Sequence, residues 1–289
     1  MSAGLWLLLF GCGSDADKPG TTTTPSVPHW RAVATSTVPA VCGVWSDGRA
    51  MCEGERGEEL TALPTDEGWR LLALGYTHGC GLRDADGSVR CWGDDEDGEA
   101  TPPAGGFVDL TASSFNACGI REDTSLECWG SNELGMSTPP GGMGWVAVDA
   151  GYATVCALNE DGTIVCWGAD SDERTAVPPG TYTALSLGQS VGCGLRDSGE
   201  LICWGSPVYE VNTPPAGRYT GVAVGWHAAC ALDGASVAAC WGEDGENSSS
   251  EREDWRSLVG GDSWFCGLTE GGPISCFGRG APAPLAPLE

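Results

Sequence analysis

Apolar residues in this chain come in short bursts with a sheet-like period, and the bursts recur. From Trp145 to Gly151 the chain reads Trp-Val-Ala-Val-Asp-Ala-Gly, an aromatic-led apolar strand. From Cys156 to Gly168 it reads Cys-Ala-Leu-Asn-Glu-Asp-Gly-Thr-Ile-Val-Cys-Trp-Gly. A three-residue loop ending in Gly162, placed at a left-handed position, predicts a hairpin there. Folding about it sets Cys156 opposite Cys166 and Leu158 opposite Ile164 on one face. Ala157, Val165 and Trp167 fall on the other face and are also apolar. A sheet that is greasy on both sides must be sandwiched between neighbours.

The same unit occurs seven times. Its opening aromatic is Trp30, Trp69, Phe107, Trp145, Tyr182, Tyr219 or Trp255, eleven residues before a cysteine (twelve in the first copy). The closing Cys-Trp-Gly keeps its Trp as Trp92, Trp129, Trp167, Trp204 and Trp241, replaced by Glu53 and Phe277 in the end copies. A Gly follows every time, from Gly54 to Gly278, and Pro-Pro steps such as Pro102-Pro103 lead into the next aromatic. Repeats of 36 to 38 residues, rich in turn signals, predict an all-β, seven-bladed β-propeller with four short strands per blade. With 45 Gly and 18 Pro, the composition agrees.

Fourteen of the fifteen cysteines form seven couples: Cys42/Cys52, Cys80/Cys91, Cys118/Cys128, Cys156/Cys166, Cys193/Cys203, Cys230/Cys240 and Cys266/Cys276. Opposed antiparallel residues have Cα atoms about 4.5–5.5 Å apart, within disulfide reach. Each couple is therefore expected as a rung across its own hairpin. Zinc would need four ligands at close spacing, and only three His are present. Seven identical catalytic thiols would be odd.

The unit resembles the regulator of chromosome condensation repeat. The third copy carries the likeness most clearly, in Cys128-Trp129-Gly130-Ser131-Asn132-Glu133-Leu134-Gly135. The resemblance spans residues 29 to 281 and implies a seven-bladed propeller; the cysteine couples depart from the family pattern, as in its exported bacterial members. Nuclear members are guanine-nucleotide exchange factors with basic, chromatin-binding features, and that activity is not carried over to an acidic chain. A secreted bacterial relative inhibits β-lactamase through loops on one face, so the scaffold suits protein binding.

Forty acidic against fourteen basic residues give a formal charge of −26. Nucleic acid is disfavoured, because affinity for a phosphate backbone comes from Lys and Arg. Anionic lipid headgroups are disfavoured too. Near the N-terminus, the apolar run Leu5–Phe10 followed by Gly11 and Cys12 resembles a bacterial lipoprotein signal. That resemblance implies lipidation at Cys12 and, with Gly13 next, outer-membrane sorting or secretion. Residues 1–12 are thus expected as signal and lipobox, 13–28 as a Thr/Pro-rich tether, and 29–289 as the propeller. The lipid is the only membrane contact expected, and a monomer is the expected state.

Propellers bind with loops at one end of the ring. The loop between the first and second strands of each copy offers Tyr76, Phe115, Tyr152, Gln189, Trp226 and Trp264, a ring of aromatics suited to a protein or glycan ligand. His78 and His227 fall in what reads as the same loop, with no nucleophile motif beside them. The run Asp94–Glu99 is acidic enough for calcium but lacks the EF-hand order, and Asn247-Ser248-Ser249 fits a glycosylation sequon. No catalytic residue, cofactor or metal is assigned. The expectation is a lipid-anchored binding module; the alternatives are a hydrolase of extracellular or cell-wall polymer, or an inhibitor of a secreted enzyme.

Overall fold

A computed structural model describes residues 28–54, 58–65, 68–243, 254–270 and 272–286. Cys12, the tether and the 247–249 sequon lie outside these residues. The chain forms seven three-stranded antiparallel sheets, each from one sequence copy in simple up-and-down order. Blade 1 holds β1 (Trp30–Thr35), β2 (Ala40–Trp45) and β3 (Ala50–Gly54). Blade 2 holds β4 (Trp69–Leu74), β5 (His78–Arg83) and β6 (Val89–Gly93); blade 3 holds β7 (Phe107–Ala112), β8 (Asn116–Arg121) and β9 (Leu126–Gly130). Blade 4 holds β10 (Trp145–Ala150), β11 (Thr154–Asn159) and β12 (Ile164–Gly168); blade 5 holds β13 (Ala184–Leu187), β14 (Val191–Leu195) and β15 (Leu201–Gly205). Blade 6 holds β16 (Tyr219–Val224), β17 (Ala228–Asp233) and β18 (Ala238–Gly242); blade 7 holds β19 (Trp255–Gly260), β20 (Trp264–Thr269) and β21 (Ser275–Gly278). Among the described residues no helix is long and apolar enough to cross a membrane.

The register follows the hairpin argument. Cys156 opposes Cys166 and Leu158 opposes Ile164. All seven expected couples are direct cross-strand partners joined by a disulfide, with Cα atoms 4.0 to 4.1 Å apart: Cys42–Cys52, Cys80–Cys91, Cys118–Cys128, Cys156–Cys166, Cys193–Cys203, Cys230–Cys240 and Cys266–Cys276. That separation is a little under the general range for opposed residues, so the hairpin is drawn tight at each rung.

The two ends of a bridge do not share one environment, which the symmetric hairpin alone does not foretell. The first cysteine of each pair is buried, at 0 or 1% exposure. The second (Cys52, Cys91, Cys128, Cys166, Cys203, Cys240 or Cys276) is only half-buried. Strand position is the reason. First cysteines sit on the middle strand of the sheet, flanked on both sides, whereas second cysteines sit on the third strand, at the outer edge. Each second cysteine still packs on an apolar cluster, Cys52 and Cys91 on one, and Cys128, Cys166, Cys203, Cys240 and Cys276 on others.

Three repeat residues join blade to blade. The opening aromatic is buried in all seven copies. Its ring lies over the small residue after the first cysteine: a Cβ added at Gly81 would run into Trp69, and one at Gly119 into Phe107. Its backbone N–H reaches back to the hairpin turn of the preceding blade, as in Phe107 to Gly87 O (2.8 Å) and Tyr182 to Gly162 O (2.8 Å). The closing Trp ties down the connector that enters its own blade. Trp92, Trp129, Trp167, Trp204 and Trp241 each donate the indole N–H to a connector carbonyl 30 to 32 residues earlier, at 2.7 to 3.0 Å. Phe277 has no N–H to give and packs against Trp255 and Phe265 instead.

This tie explains the one departure from the expected blade. Four strands were expected, and the described residues form three. The outer position is taken by the connector, whose Pro-Pro step has no N–H to donate to a ladder, so side-chain bonds from the Trp hold it in place of strand pairing. The glycine after the Trp is demanded by the turn: Gly168 has φ 103°, and Ala169 N–H bonds Ala153 O (2.8 Å) across to the β10–β11 loop.

Each copy is a whole blade, and the ring closes by packing blade 7 on blade 1. Trp30, Val41 and Trp45 share one apolar cluster with Trp264, Cys266, Ile274 and Leu285. Thr35 Oγ1 donates to Gly260 O across the same seam (2.8 Å).

Two outcomes test this construction. Alkylation of the unreduced propeller is expected to label none of the fourteen paired cysteines, and reduction under denaturant all fourteen, read by mass. Trp204→Phe is expected to cost about 1–2 kcal/mol by leaving Arg174 O unpaired, seen as a Tm lower by about 2–8 °C in calorimetry.

Candidate functional site

The ring presents two unlike ends. At one end are the 2–3 hairpin turns. At the other are the loops between first and second strands, together with the start of each connector, because the residue after the Trp-Gly bonds the 1–2 loop of its own blade (Asp94 to Thr77, Ser131 to Phe115, Ser206 to Ser190). The exposed large apolar side chains divide unequally between these ends. Tyr76 (51% exposed), Phe115 (37%), Tyr152 (41%), Leu134 and Val208 are on the loop face; Met143 is on the turn face. Phe115 and Tyr152 meet edge to face with centroids 5.3 Å apart, forming an arc across blades 3 and 4.

Gln189 and Trp226 are half-buried on the same face. Trp264 does not join them. It belongs to β20, two residues before its cysteine, and at 1% exposure it is core in the seam between blades 7 and 1. Blade 7 instead places Asp262 at the loop position. The histidines also part company: His227 stays in the loop, whereas His78 is the first residue of β5 and is fully buried. Burial pulls the His78 pKa down to about 4, with Asp94 and Asp95 opposing weakly, so its ring is neutral at pH 7.

His227 lies parallel to Trp226 (centroids 5.1 Å) and is met edge-on by Tyr209 (4.5 Å). Its Nδ1 is 2.6 Å from Asp262 Oδ1 and 3.4 Å from Ser263 Oγ. Both partners use the same nitrogen, whereas a Ser-His-Asp relay needs serine on the other one. The trio fixes the ring on the loop face. The acidic run is similarly occupied with its own backbone: Asp95 accepts from Ala100 N–H and Thr101 Oγ1, and Glu99 accepts from Asp97 N–H. No group of three His, Cys, Asp or Glu among the described residues is arranged to hold a metal.

A central channel of about 750 Å³ runs between the first strands of all seven blades. The first-strand residues lining it are mostly Ala, Leu and Val, interrupted by Asp109 and Asp149 on adjacent blades. Sequence reading missed both, because each sits inside an apolar strand pattern as a single exception. They bond to unpaired N–H groups at the inner edge of the next blade. Asp149 Oδ2 accepts from Leu187 N–H (2.8 Å), its Oδ1 from Thr111 Oγ1 (3.3 Å), and Asp109 accepts from Leu110 and Val148. Ser186 repeats the device toward Val224 N–H (3.1 Å). Enclosure by the ring disfavours the charged forms and outweighs these bonds, raising Asp109 to about 7 and Asp149 to about 6.

Residues 69–99 and 145–173, covering blades 2 and 4, match the family described as Regulator of chromosome condensation (RCC1) repeat. No curated protein matches the chain. Among solved structures, the CRINKLY WD40 ectodomain of the Arabidopsis thaliana receptor kinase ACR4 is 23% identical with a TM-score of 0.75, covering 90% of this chain and 99% of that one. The entire ectodomain of the Physcomitrella patens receptor kinase CR4 is 22% identical (TM-score 0.74), with 87% and 74% covered. Prp20p of Saccharomyces cerevisiae is 13% identical (TM-score 0.63), with 76% of each chain covered. These likenesses are of fold.

The channel carboxylates generate a pH dependence. A folded pKa above the unfolded 3.8 means that the stability from these groups is full below about pH 4 and is lost as pH rises toward 7. Asp109→Asn keeps an acceptor oxygen and removes the ionisation. It is expected to flatten the stability profile between pH 4 and 7 and to add about 1–2 kcal/mol at pH 8, after discounting for partial exposure. Denaturant melts at both pH values check this.

Proposed function

We propose that this chain is an exported propeller, anchored through Cys12, that binds a protein partner with its loop face. The observation that carries the reading is the apolar imbalance between the two ends. Among the described residues, five of the six exposed large apolar side chains lie on the loop face, three of them aromatic. Exposed aromatics that already meet one another lose little freedom on binding and bury a large area, which is why such residues dominate interface energetics. The opposite end consists of hairpin turns closed by their own aspartates, as in Asp86 with Ser88 and Asp123 with Ser125.

Compartment and neighbours support the same reading. Seven disulfides, one in every blade, belong to an oxidising environment. Two of the similar structures are receptor-kinase ectodomains, and the Prp20p structure is described with binding to Gsp1p and histones.

The test places a photo-crosslinking benzoylphenylalanine at Tyr152 or at Met143 in cells that make the protein. A discrete adduct is expected from position 152 alone, and Phe115→Ala is expected to weaken it about tenfold. Adducts of equal yield from both positions, or from position 143 only, would overturn the choice of face.

A further inference from the structure

The partner's chemistry follows from how charge is divided between the two ends. This step rests on the loop face being the binding face. Exposed carboxylates line the connectors beside the aromatic arc: Glu96, Asp97, Glu133, Asp172, Glu173 and Glu210. Among the described residues, only Arg174 and Arg279 bring positive charge there, and Arg174 is ion-paired with Asp172. The arginines of the other end are at or near the turns. There Arg83, Arg121 and Arg196 lie over the opening aromatics Trp69, Phe107 and Tyr182, and Arg49 and Arg121 pair with Asp47 and Glu127. The turn face is therefore of mixed sign, and the loop face is almost wholly negative around an apolar centre.

Two of these carboxylates stand where a side chain is costly. Glu173 (φ 59°) and Glu210 (φ 56°) occupy the left-handed position that Gly98 and Gly135 fill in the two preceding connectors. A residue other than Gly is strained in that conformation.

We propose that the loop face docks a basic segment of a partner protein, with arginine or lysine side chains over the connector carboxylates and an apolar residue on the arc of Tyr76, Phe115 and Tyr152. Charge complementarity selects this occupant. A neutral glycan carries no charge to complement these carboxylates, and an acidic or phosphorylated segment would be repelled by them. Exposed rings beside carboxylates also suit guanidinium groups, which are drawn to the ring face and to the carboxylate alike.

The probe is a synthetic 16-residue peptide alternating Arg with Leu and Trp, set against a copy in which citrulline replaces Arg. Binding to the full chain is read by fluorescence anisotropy at roughly 50 and 300 mM salt, on either side of physiological screening. The arginine peptide is expected to bind and to weaken as salt rises, and the citrulline copy to bind at least tenfold less tightly. The set E96Q, D97N, E133Q and E173Q is expected to weaken binding at least tenfold. The set E122Q, E160Q, D197N and E270Q, with the same charge change at the turn face, is expected to alter it less than twofold. All eight positions are on the surface, and circular dichroism confirms the fold of both variants. Equal losses from both sets, or equal binding of the citrulline copy, would overturn the proposal. If the Tyr152 adduct forms equally well in the first set, the face binds protein but the basic class is wrong. If no adduct forms from Tyr152, the reading of the face itself fails.

Discussion

A three-stranded sheet with two apolar faces has no stable existence alone in water, and everything else in this molecule answers that constraint. Each blade needs a neighbour on both sides, so the set must close on itself. Closure is visible in the shared cluster of Trp30, Trp45, Trp264 and Ile274, where the last blade covers the first. The disulfides act at shorter range. They lock each hairpin to itself, tying a half-buried edge strand to a buried middle one, and make no bond between blades. Contact between blades falls to the aromatic that opens each one, whose ring packs inward while its N–H holds the turn behind it.

Because the strands are consumed by this packing, freedom to vary is left at the two ends and along the channel. At the turn end, arginines serve structure, lying on aromatics or pairing with nearby carboxylates. At the loop end the described connector residues carry acids around exposed rings, with little positive charge among them. The polarity of the ring is thus a by-product of where the scaffold needs positive charge. In the channel, edge N–H groups left without a ladder partner are met by Asp109, Asp149 and Ser186. That use of carboxylates in an enclosed place gives the fold a pH response that its acidic surface alone would not.

The spacing of the cysteines, the hairpin register, the blade count and the recurrence of Gly after each closing residue were all legible from the chain. Each is a local relation within about a dozen residues, and repetition made it visible seven times. The strand number per blade was not legible, because a Pro-Pro connector held by an indole 30 residues on looks in sequence like a fourth strand's loop. The unequal burial of the paired cysteines depended on that same strand number: with three strands per blade among the described residues, Cys52, Cys91, Cys128, Cys166, Cys203, Cys240 and Cys276 all lie on an edge. Trp264 and His78 were misplaced for a related reason. Their distance from the cysteine differs by one or two from that of the loop residues, and in a strand such a step decides between core and surface. Asp109 and Asp149 were passed over because one acid in an apolar strand carries no periodic signal.

The sequence by itself determined a seven-bladed, disulfide-stapled ring, since hairpin geometry and apolar patterning act between near neighbours along the chain. Which residues share an end, which acids look into the channel and how the seam is sealed were decided only by the tertiary structure. Those relations join positions 37 or 38 residues apart, or opposite ends of the chain, through contacts that exist only after the ring has closed.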